Sequence, residues 1–358
     1  MFIKQIIGRT FYKSSNLQAG QFLQPCGLMF SLALLTSCSG PAIQKIEGHA
    51  QGTTYHISYW SKLPTDSQVI EKSIKDELES IDKVLSNYRP DSSIEVFNSL
   101  ENTQSQEVGS EIVELVRIAR VVYQASQGCY DLTTKPLFNI WGFHGDNPAI
   151  PSQKQIGNTL SQIGMDKLEV VDDTHLRKQQ ANIKVDLSSI AQGYSVGKLS
   201  RVLEKQGIND YLVEIGGELQ TRGVKPDEQP WRIALERPLP GEQYMQKRLT
   251  MPKDSVMAVM TSGTYNHYFE HEGRRYSHII DARTGWPIEH DLVSVTVITD
   301  NPTVADAWDT ALLCLGQQTG LKAANDANIP ALFIQQQGTN LIETRSAALM
   351  ALDNVIIE

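Results

Sequence analysis

Two aspartates and a threonine lie close together in one short stretch near the end of the chain. The stretch "PTVADAWDTALLCLG" spans residues 302–316 and carries Asp306, Asp309 and Thr310. Side chains three and four residues apart share a helix face, so the three oxygen-bearing groups would point the same way. Such hard ligands suit magnesium, which commonly binds one or two carboxylates plus substrate phosphate. The alternative is an amphipathic helix with a solvated acidic face.

The same stretch is predicted to be a helix. Pro302 suits a first helical turn, and Asp300 or Asn301 just before it can cap the free amide groups. Its apolar surface would consist of Val304, Ala307, Trp308, Ala311, Leu312 and Leu315.

A second stretch has the form of an anion-binding junction. In "VDLSSIAQGYSVGKL", residues 185–199, a short strand ending at Asp186 is predicted to lead through Ser188 and Ser189 into a helix from about Ile190. The free amides and positive end of such a helix suit a pyrophosphate. Small residues at such junctions also occur simply for packing.

A histidine stands near a predicted bend in "SHIIDARTG", residues 277–285. Histidine is the side chain best suited to move protons near neutral pH, so His278 is a candidate base. The alternative is a strand and turn in which His278 is satisfied by a backbone carbonyl.

Aromatic residues accompany polar ones in "SNYRPDSSIEVFN" and "QGCYDLTTKPLFNIWGF". Aromatic faces with a few hydrogen-bonding groups suit a flat heterocycle, although each ring could instead belong to the core. The residues concerned are Tyr88, Tyr130, Trp141, Phe143, Asn87 and Asp131.

The N-terminal segment differs from the rest of the 358 residues, whose 41% hydrophobic and 20% charged composition is that of an ordinary globular protein. Residues 1–37 contain three basic and no acidic side chains, and the apolar run "CGLMFSLALLTSC" occupies residues 26–38, which together indicate a secretory signal. The end of this run resembles a lipobox, so Cys38 is expected to carry lipid; a plain signal peptide is the alternative. We therefore expect a signal at 1–37, a tether at 38–47 and one domain at 48–358.

The chain without its first 37 residues is acidic, because their removal changes the net charge from −9 to −12. This balance argues against nucleic acid as a partner. Besides Cys38, only Cys129 and Cys314 then remain. They could form a disulfide, but nothing in the sequence shows that they meet, so we take both as buried small hydrophobes.

The periodicity of the remaining chain predicts an α/β protein of the α+β type, with mixed, largely antiparallel sheets packed with helices. Segments 66–85 and 110–127 have apolar residues at helical spacing. The segments "YLVEIGGEL", "WRIALE" and "LVSVTVIT" are typical of strands. The core-facing residues of the two predicted helices are Val69, Ile70, Ile74, Leu78, Ile81 and Leu85 in the first, and Ile112, Leu115, Val116, Ala119 and Val122 in the second.

Taken in order, these stretches resemble the ApbE family of flavin transferases. The motifs that carry the resemblance are "QGTTY", "YRPDSS", "CYD", "VDLSSIAQGY", "GGEL", "TSGTY", "HIIDARTG" and "ADAWDT". The resemblance implies a periplasmic, lipid-anchored enzyme that binds FAD and Mg²⁺ and moves FMN onto a Thr or Ser hydroxyl of an acceptor protein, releasing AMP. It also implies acceptors among flavoprotein subunits of the Rnf or sodium-translocating quinone reductase type.

The resemblance further implies roles for individual residues. His278 would be the base. The metal would be held by Asp306, Thr310, the backbone carbonyl of Ala191 and, as a further ligand, Asp309. The flavin nucleotide would contact Gln51, Tyr88, Cys129, Tyr130, Asp131, Ser188, Tyr194 and Ile280.

Four positions depart from the family pattern. Gln51 replaces Met, Gln192 replaces Lys, Ala282 replaces Pro and Glu218 replaces Asp. Loss of a lysine near phosphates could weaken FAD binding or favour hydrolysis over transfer. Two alternatives therefore stay open: a metal-dependent FAD pyrophosphatase, in which water attacks, and a non-catalytic flavin carrier.

Overall fold

The computed structural model describes residues 42–143, 148–239, 241, 244–265 and 267–358. In chain order the strands within these ranges are β1 (Gln44–Ala50), β2 (Thr53–Trp60), β3 (Ser105–Glu107), β4 (Leu168–Val170), β5 (His175–Lys178), β6 (Asp210–Ile215), β7 (Glu218–Arg222), β8 (Arg232–Glu236), β9 (Met245–Thr250), β10 (Met257–Gly263), β11 (Tyr268–His271), β12 (Arg274–Ser277), β13 (Ile280–Asp281), β14 (Trp286–Pro287), β15 (Leu292–Thr299), β16 (Ala331–Gln337), β17 (Asn340–Arg345) and β18 (Ile356–Ile357). The helices are α1 (Ser67–Leu85), α2 (Ser93–Ser99), α3 (Ser110–Ala125), α4 (Lys135–Trp141), α5 (Gln153–Leu160), α6 (Ala191–Lys205), α7 (Pro302–Asp326) and α8 (Ala347–Met350).

An antiparallel sheet of eight strands forms the centre of the fold, in the order β1-β2-β6-β7-β10-β15-β16-β17. Successive side chains of a strand point to opposite faces, so each strand serves two cores. On β10, Ala258 and Met260 face the core formed with α1, α3, α6 and α7. Met257 and Val259 face the second core, shared with the small sheet β18-β9-β8. The architecture confirms the predicted mixed fold with largely antiparallel sheets.

Helices α1 and α3 lie where the apolar periodicity predicts them. Asp66 caps α1 by accepting hydrogen bonds from two backbone amides of its first turn. Five of the six predicted core residues of α1 are buried, whereas Val69 is 49% exposed because it lies off the apolar face. All five predicted core residues of α3 are buried.

The predicted short strand at Val185 and Asp186 is wrong. Side chains, rather than a neighbouring strand, satisfy the backbone of this segment: Asn98 accepts from the Val185 amide at 2.7 Å and donates to the Val185 carbonyl at 2.8 Å. Asn87 accepts from the Leu187 amide at 2.7 Å. The helix that follows, α6, begins at Ala191 as predicted.

Helix α7 carries the residues with which the sequence analysis began. It begins at Pro302, and Asn301 caps it by accepting a hydrogen bond from the Val304 amide at 3.2 Å. Its helical geometry breaks at Gly316, whose φ is +74°. Asp306 and Asp309 are buried, which overturns the alternative of a solvated acidic face.

The first strand begins at Gln44, inside the range 38–47 expected as a tether, so residues 44–47 belong to the sheet. Cys38 and the expected signal at 1–37 lie outside the described residues, and the division into signal, tether and domain stays a prediction. In the part of the chain that the structure describes, no helix is both long and apolar enough to cross a membrane.

A disulfide joins Cys129 to Cys314, with the two Cα atoms 6.0 Å apart. Both cysteines are buried, as expected, but they form a disulfide and are not two separate thiols. The bond connects residues 185 positions apart in the sequence and ties the segment after α3 to helix α7. Its effect on stability comes mainly from the restriction of the unfolded chain.

Replacement of both cysteines tests this contribution. We expect Cys129→Ser combined with Cys314→Ser to lower the free energy of unfolding by about 2–5 kcal/mol, because a loop of this length loses much entropy on closure. The measurement is urea unfolding under oxidising conditions. A reducing agent should bring the wild-type protein to the same midpoint and leave the double variant unchanged. Equal midpoints for the oxidised wild type and the variant would contradict the assignment.

Candidate functional site

The site begins where helices α6 and α7 meet. The Gly193 amide, in the first turn of α6, donates a hydrogen bond to Asp306 Oδ2 at 2.7 Å. This contact requires glycine, since a Cβ at position 193 would lie 2.3 Å from the Pro302 carbonyl oxygen and 2.7 Å from Asp306 Cβ. A helix N-terminus stabilises negative charge, so α6 supports a buried carboxylate at this point.

Three buried carboxyl groups converge beside this contact. Glu218, Asp306 and Asp309 each place an oxygen within 4.8 Å of the others, and their residues are 7%, 5% and 1% exposed. Burial raises the pKa of all three groups, and repulsion from the neighbouring carboxylates raises the pKa of Glu218 and Asp309 further. One oxygen, Asp309 Oδ2, is buried without a hydrogen-bond partner among the residues that the structure describes. This donor set fits a hard divalent cation.

Two hydroxyl groups extend the cluster. Thr310 Oγ1 lies 3.2 Å from Asp309 Oδ1, to which it donates, and 2.9 Å from Ser262 Oγ. Ser262 belongs to strand β10, so α7 and β10 hold the cluster between them. The sequence analysis missed Ser262 and Glu218 as cluster residues. Both lie in quoted motifs, "TSGTY" and "GGEL", which carry the only local signal for them.

The Ala191 carbonyl, the expected backbone ligand, lies at the start of α6. It accepts a hydrogen bond from Ser195 Oγ at 2.7 Å. Ser195 Oγ in turn accepts from Gln51 Nε2 at 2.7 Å, so Gln51 reaches the first turn of α6 from the turn between β1 and β2. The Gln51 Oε1 atom is buried and has no hydrogen-bond partner.

Segment 129–131 lies next to the carboxyl cluster. Ser189 Oγ donates to the hydroxyl of Tyr130 at 3.3 Å. Burial raises the pKa of Tyr130, and the charges of Asp306 and Asp309 raise it further. The disulfide of Cys129 fixes the segment to α7. The structure therefore brings Tyr130 together with the expected metal ligands.

Both carboxylate oxygens of Asp131 accept hydrogen bonds from the protein, from its own loop and from the distant Met165. Its Oδ1 accepts from the Thr133 amide and hydroxyl, both at 2.6 Å, and its Oδ2 accepts from the Met165 amide at 3.1 Å. Ser188 is held in a similar turn, because its amide and hydroxyl both donate to Asp186 Oδ1. Both residues shape the backbone around the cluster.

The other expected flavin contacts lie in different surroundings. Tyr88 is 76% exposed. The hydroxyl of Tyr194 donates to Glu111 Oε1 at 2.7 Å, which directs this side chain towards α3. Ile280 pairs with Pro287 in the short β13–β14 hairpin and packs in the aromatic cluster around Trp141.

His278 follows strand β12 and is half-buried. Its Nδ1 lies 2.9 Å from the His267 carbonyl oxygen, and a carbonyl can only accept, so Nδ1 carries the proton. The other ring nitrogen, Nε2, is thereby left with its lone pair. Burial lowers the pKa of His278 to about 4, so the ring is neutral at ordinary pH.

Two links connect the His278 segment with the cluster. The Ala282 amide donates to the carbonyl of Cys129 at 3.3 Å. His267, which holds the ring, follows Ser262 by five residues, a span of at most about 18 Å in a fully extended chain. The segment that follows His278 is therefore bonded to the segment that carries Tyr130 beside the cluster.

Known proteins resemble this chain along most of its length. The sequence profile of the ApbE family matches residues 51–333. The chain is 34% identical over 334 residues to the FAD:protein FMN transferase of Salmonella typhimurium, covering 92% of this chain and 93% of that protein. It is 35% identical over 322 residues to the FAD:protein FMN transferase of Vibrio cholerae, covering 89% and 95%. The crystal structure of the apo Pseudomonas stutzeri flavinyl transferase ApbE superposes with a TM-score of 0.79 at 37% identity, over 87% of this chain and 97% of that one. The chain belongs to the ApbE family.

Proposed function

We propose that this chain is a magnesium-dependent FAD:protein FMN transferase. The transferase activity rests on its family and on relatives that are about one-third identical over most of their length. The observation that carries the chemistry is the buried carboxyl cluster, in which Asp309 Oδ2 has no partner beside two further carboxylates. Such a cluster can bind a divalent cation, and the cation can in turn bind the phosphate groups of a substrate.

The residues proposed to hold magnesium are Asp306, Asp309, Thr310 and the Ala191 carbonyl. They fit the ion because all supply hard oxygen atoms and because the buried carboxylates repel one another without it. When bound, the ion would neutralise charge on the pyrophosphate of FAD. Ser262 holds the Thr310 hydroxyl in place through their hydrogen bond.

His278 is proposed as the base. Its Nδ1 proton is engaged by the His267 carbonyl, so Nε2 can accept the proton of an acceptor Thr or Ser hydroxyl. The hydroxyl oxygen then bonds to the phosphorus of the FMN half of FAD. The phosphoanhydride bond breaks, and AMP leaves with the bonding electrons. The products are AMP and an acceptor protein that carries FMN through a phosphoester.

The flavin nucleotide is proposed to lie against segment 129–131 and the exposed ring of Tyr88, with Gln51, Ser188, Tyr194 and Ile280 nearby. The exposed face of Tyr88 suits stacking on a flat ring. The side-chain polar groups of Asp131 and Tyr194 already have partners within the protein. We therefore assign these two residues a supporting role around the nucleotide.

We also propose that lipid on Cys38 anchors the chain on the periplasmic side of a bacterial membrane. The basic segment, the apolar run and the lipobox-like ending support this. Acceptors are proposed among membrane flavoprotein subunits of the Rnf or sodium-translocating quinone reductase type, as the family resemblance implies.

Intact-mass measurement tests the transfer. The chain from Ser39 onwards is incubated with FAD, Mg²⁺ and a candidate acceptor domain. We expect the acceptor to gain the mass of one FMN residue, and we expect chelation or Asp306→Ala to abolish the gain, because a ligand of the ion is lost. Asp326→Ala, the same change at the exposed end of the same helix, serves as the matched control.

The products distinguish the alternatives. An unchanged acceptor together with free FMN and AMP would show that the protein is a pyrophosphatase and not a transferase. FAD that stays bound and intact throughout the incubation would show that the protein is a non-catalytic flavin carrier.

The pH dependence tests the role of His278. A base must be unprotonated, and because its pKa is lowered to about 4 we expect kcat/KM to stay level as pH falls through 6.5, where an ordinary histidine becomes protonated. His278→Gln should lower the rate by about 10²–10⁴-fold. Activity is measured from pH 5 to 8, with metal binding determined at each pH. His271→Gln, on the exposed strand β11, is the control, and an unaffected rate in His278→Gln would exclude the base.

A further inference from the structure

Glu218 reaches the carboxyl cluster from the central sheet. It is the first residue of β7 and follows the Gly216–Gly217 turn, in which both glycines have positive φ. The Thr261 amide of the neighbouring strand β10 donates to its Oε2 at 3.0 Å. This bond directs the carboxylate towards the part of β10 whose next residue, Ser262, contacts Thr310.

The hydrogen bonds of the cluster do not balance its charge. Asp306 accepts from the Gly193 amide, Asp309 from the Thr310 hydroxyl and Glu218 from the Thr261 amide. Among the residues that the structure describes, no Lys, Arg or His forms an ion pair with any of the three. Buried charges of one sign need a counter-ion or must be neutralised.

The spacing of the three groups matches one small cation. Two oxygens bound to the same magnesium ion lie at most about 4.2 Å apart, because each bond is about 2.1 Å long. Neighbouring positions of the octahedron are about 3 Å apart. The three carboxylates have oxygens within 4.8 Å of one another, so rotations of their side chains by an ångström or so would bring all three into one coordination sphere. The unpartnered Asp309 Oδ2 belongs to the same group.

We propose that Glu218 is a third carboxylate ligand of the divalent cation that Asp306 and Asp309 hold. This inference rests on the proposed metal dependence and adds a residue from the central sheet to ligands that otherwise come from two helices. The cation then joins β7 to α6 and α7. A third negative ligand also strengthens the electrostatic attraction for the ion.

Direct metal binding tests the proposal without an activity measurement. Mn²⁺ serves as the probe, and its free concentration is followed by electron paramagnetic resonance during titration of the FAD-free protein. We expect Glu218→Gln to weaken Mn²⁺ binding at least tenfold, by analogy with the loss of supporting groups at metal sites. Glu218→Asp keeps the carboxylate and should bind more tightly than Glu218→Gln. Glu343→Gln makes the same change on strand β17 and should bind as the wild type does.

Thermal unfolding provides a second measurement. The competing explanation, in which Glu218 only supports strand β10, predicts a different change in the metal-free Tm. A ligand role predicts that metal-free Glu218→Gln melts at or above the temperature of the metal-free wild type, because a buried carboxyl group crowded by two others is replaced by a neutral amide. It also predicts a smaller rise in Tm on addition of Mn²⁺. A residue that only supports β10 through Thr261 would, when changed, lower the metal-free Tm and leave Mn²⁺ affinity unchanged.

The outcomes separate this inference from the proposed function. If the wild type binds Mn²⁺ and Glu218→Gln binds it equally well, the ligand role of Glu218 is overturned while the metal-dependent transferase stands. If the wild type binds neither Mn²⁺ nor Mg²⁺, both proposals fall together.

Discussion

The hydrogen bond between the Gly193 amide and the Asp306 carboxylate determines where the site lies, because it joins the start of one helix to the first turns of another. The approach is possible only without a side chain at position 193. The positive end of α6 then faces the carboxylate, which lowers the cost of burying its charge. Ala191, Tyr194 and Ser195 follow from the same helix, so their positions depend on this contact.

The concentration of negative charge is the second constraint. Three carboxyl groups share a region from which water is excluded, and each raises the free energy of ionising the others. A protein selected for stability alone would place apolar residues here. The arrangement is understandable as a cost accepted for cation binding, while the proposed base is kept on a separate segment and held neutral by its own surroundings.

Local signals in the sequence predicted the helices well. The cap and apolar periodicity of α1, the proline at the start of α7 and the helix beginning near Ile190 all depend on residues close together in the chain. The predicted strand at Val185 failed because its backbone is satisfied by Asn98, 87 residues earlier. No local pattern reports such a partner.

The same limit applies to the candidate site. The helical spacing of Asp306, Asp309 and Thr310 was visible in the sequence, whereas the approach of Glu218 depends on the pairing of β7 with β10. The bond of Tyr194 to Glu111 likewise depends on how α6 packs against α3. Residues from distant segments meet only through the tertiary fold, which periodicity does not encode.

Because of the disulfide, the geometry of the candidate site depends on the redox conditions around the protein. Cys129 precedes Tyr130, and Cys314 lies in the same helix as the acidic residues, so one covalent bond joins two segments of the candidate site. Where cellular reductants keep thiols reduced, these two segments lose their covalent link and are held by non-covalent contacts. The complete geometry therefore belongs to the oxidised protein, and the compartment in which the chain matures becomes part of what assembles its site.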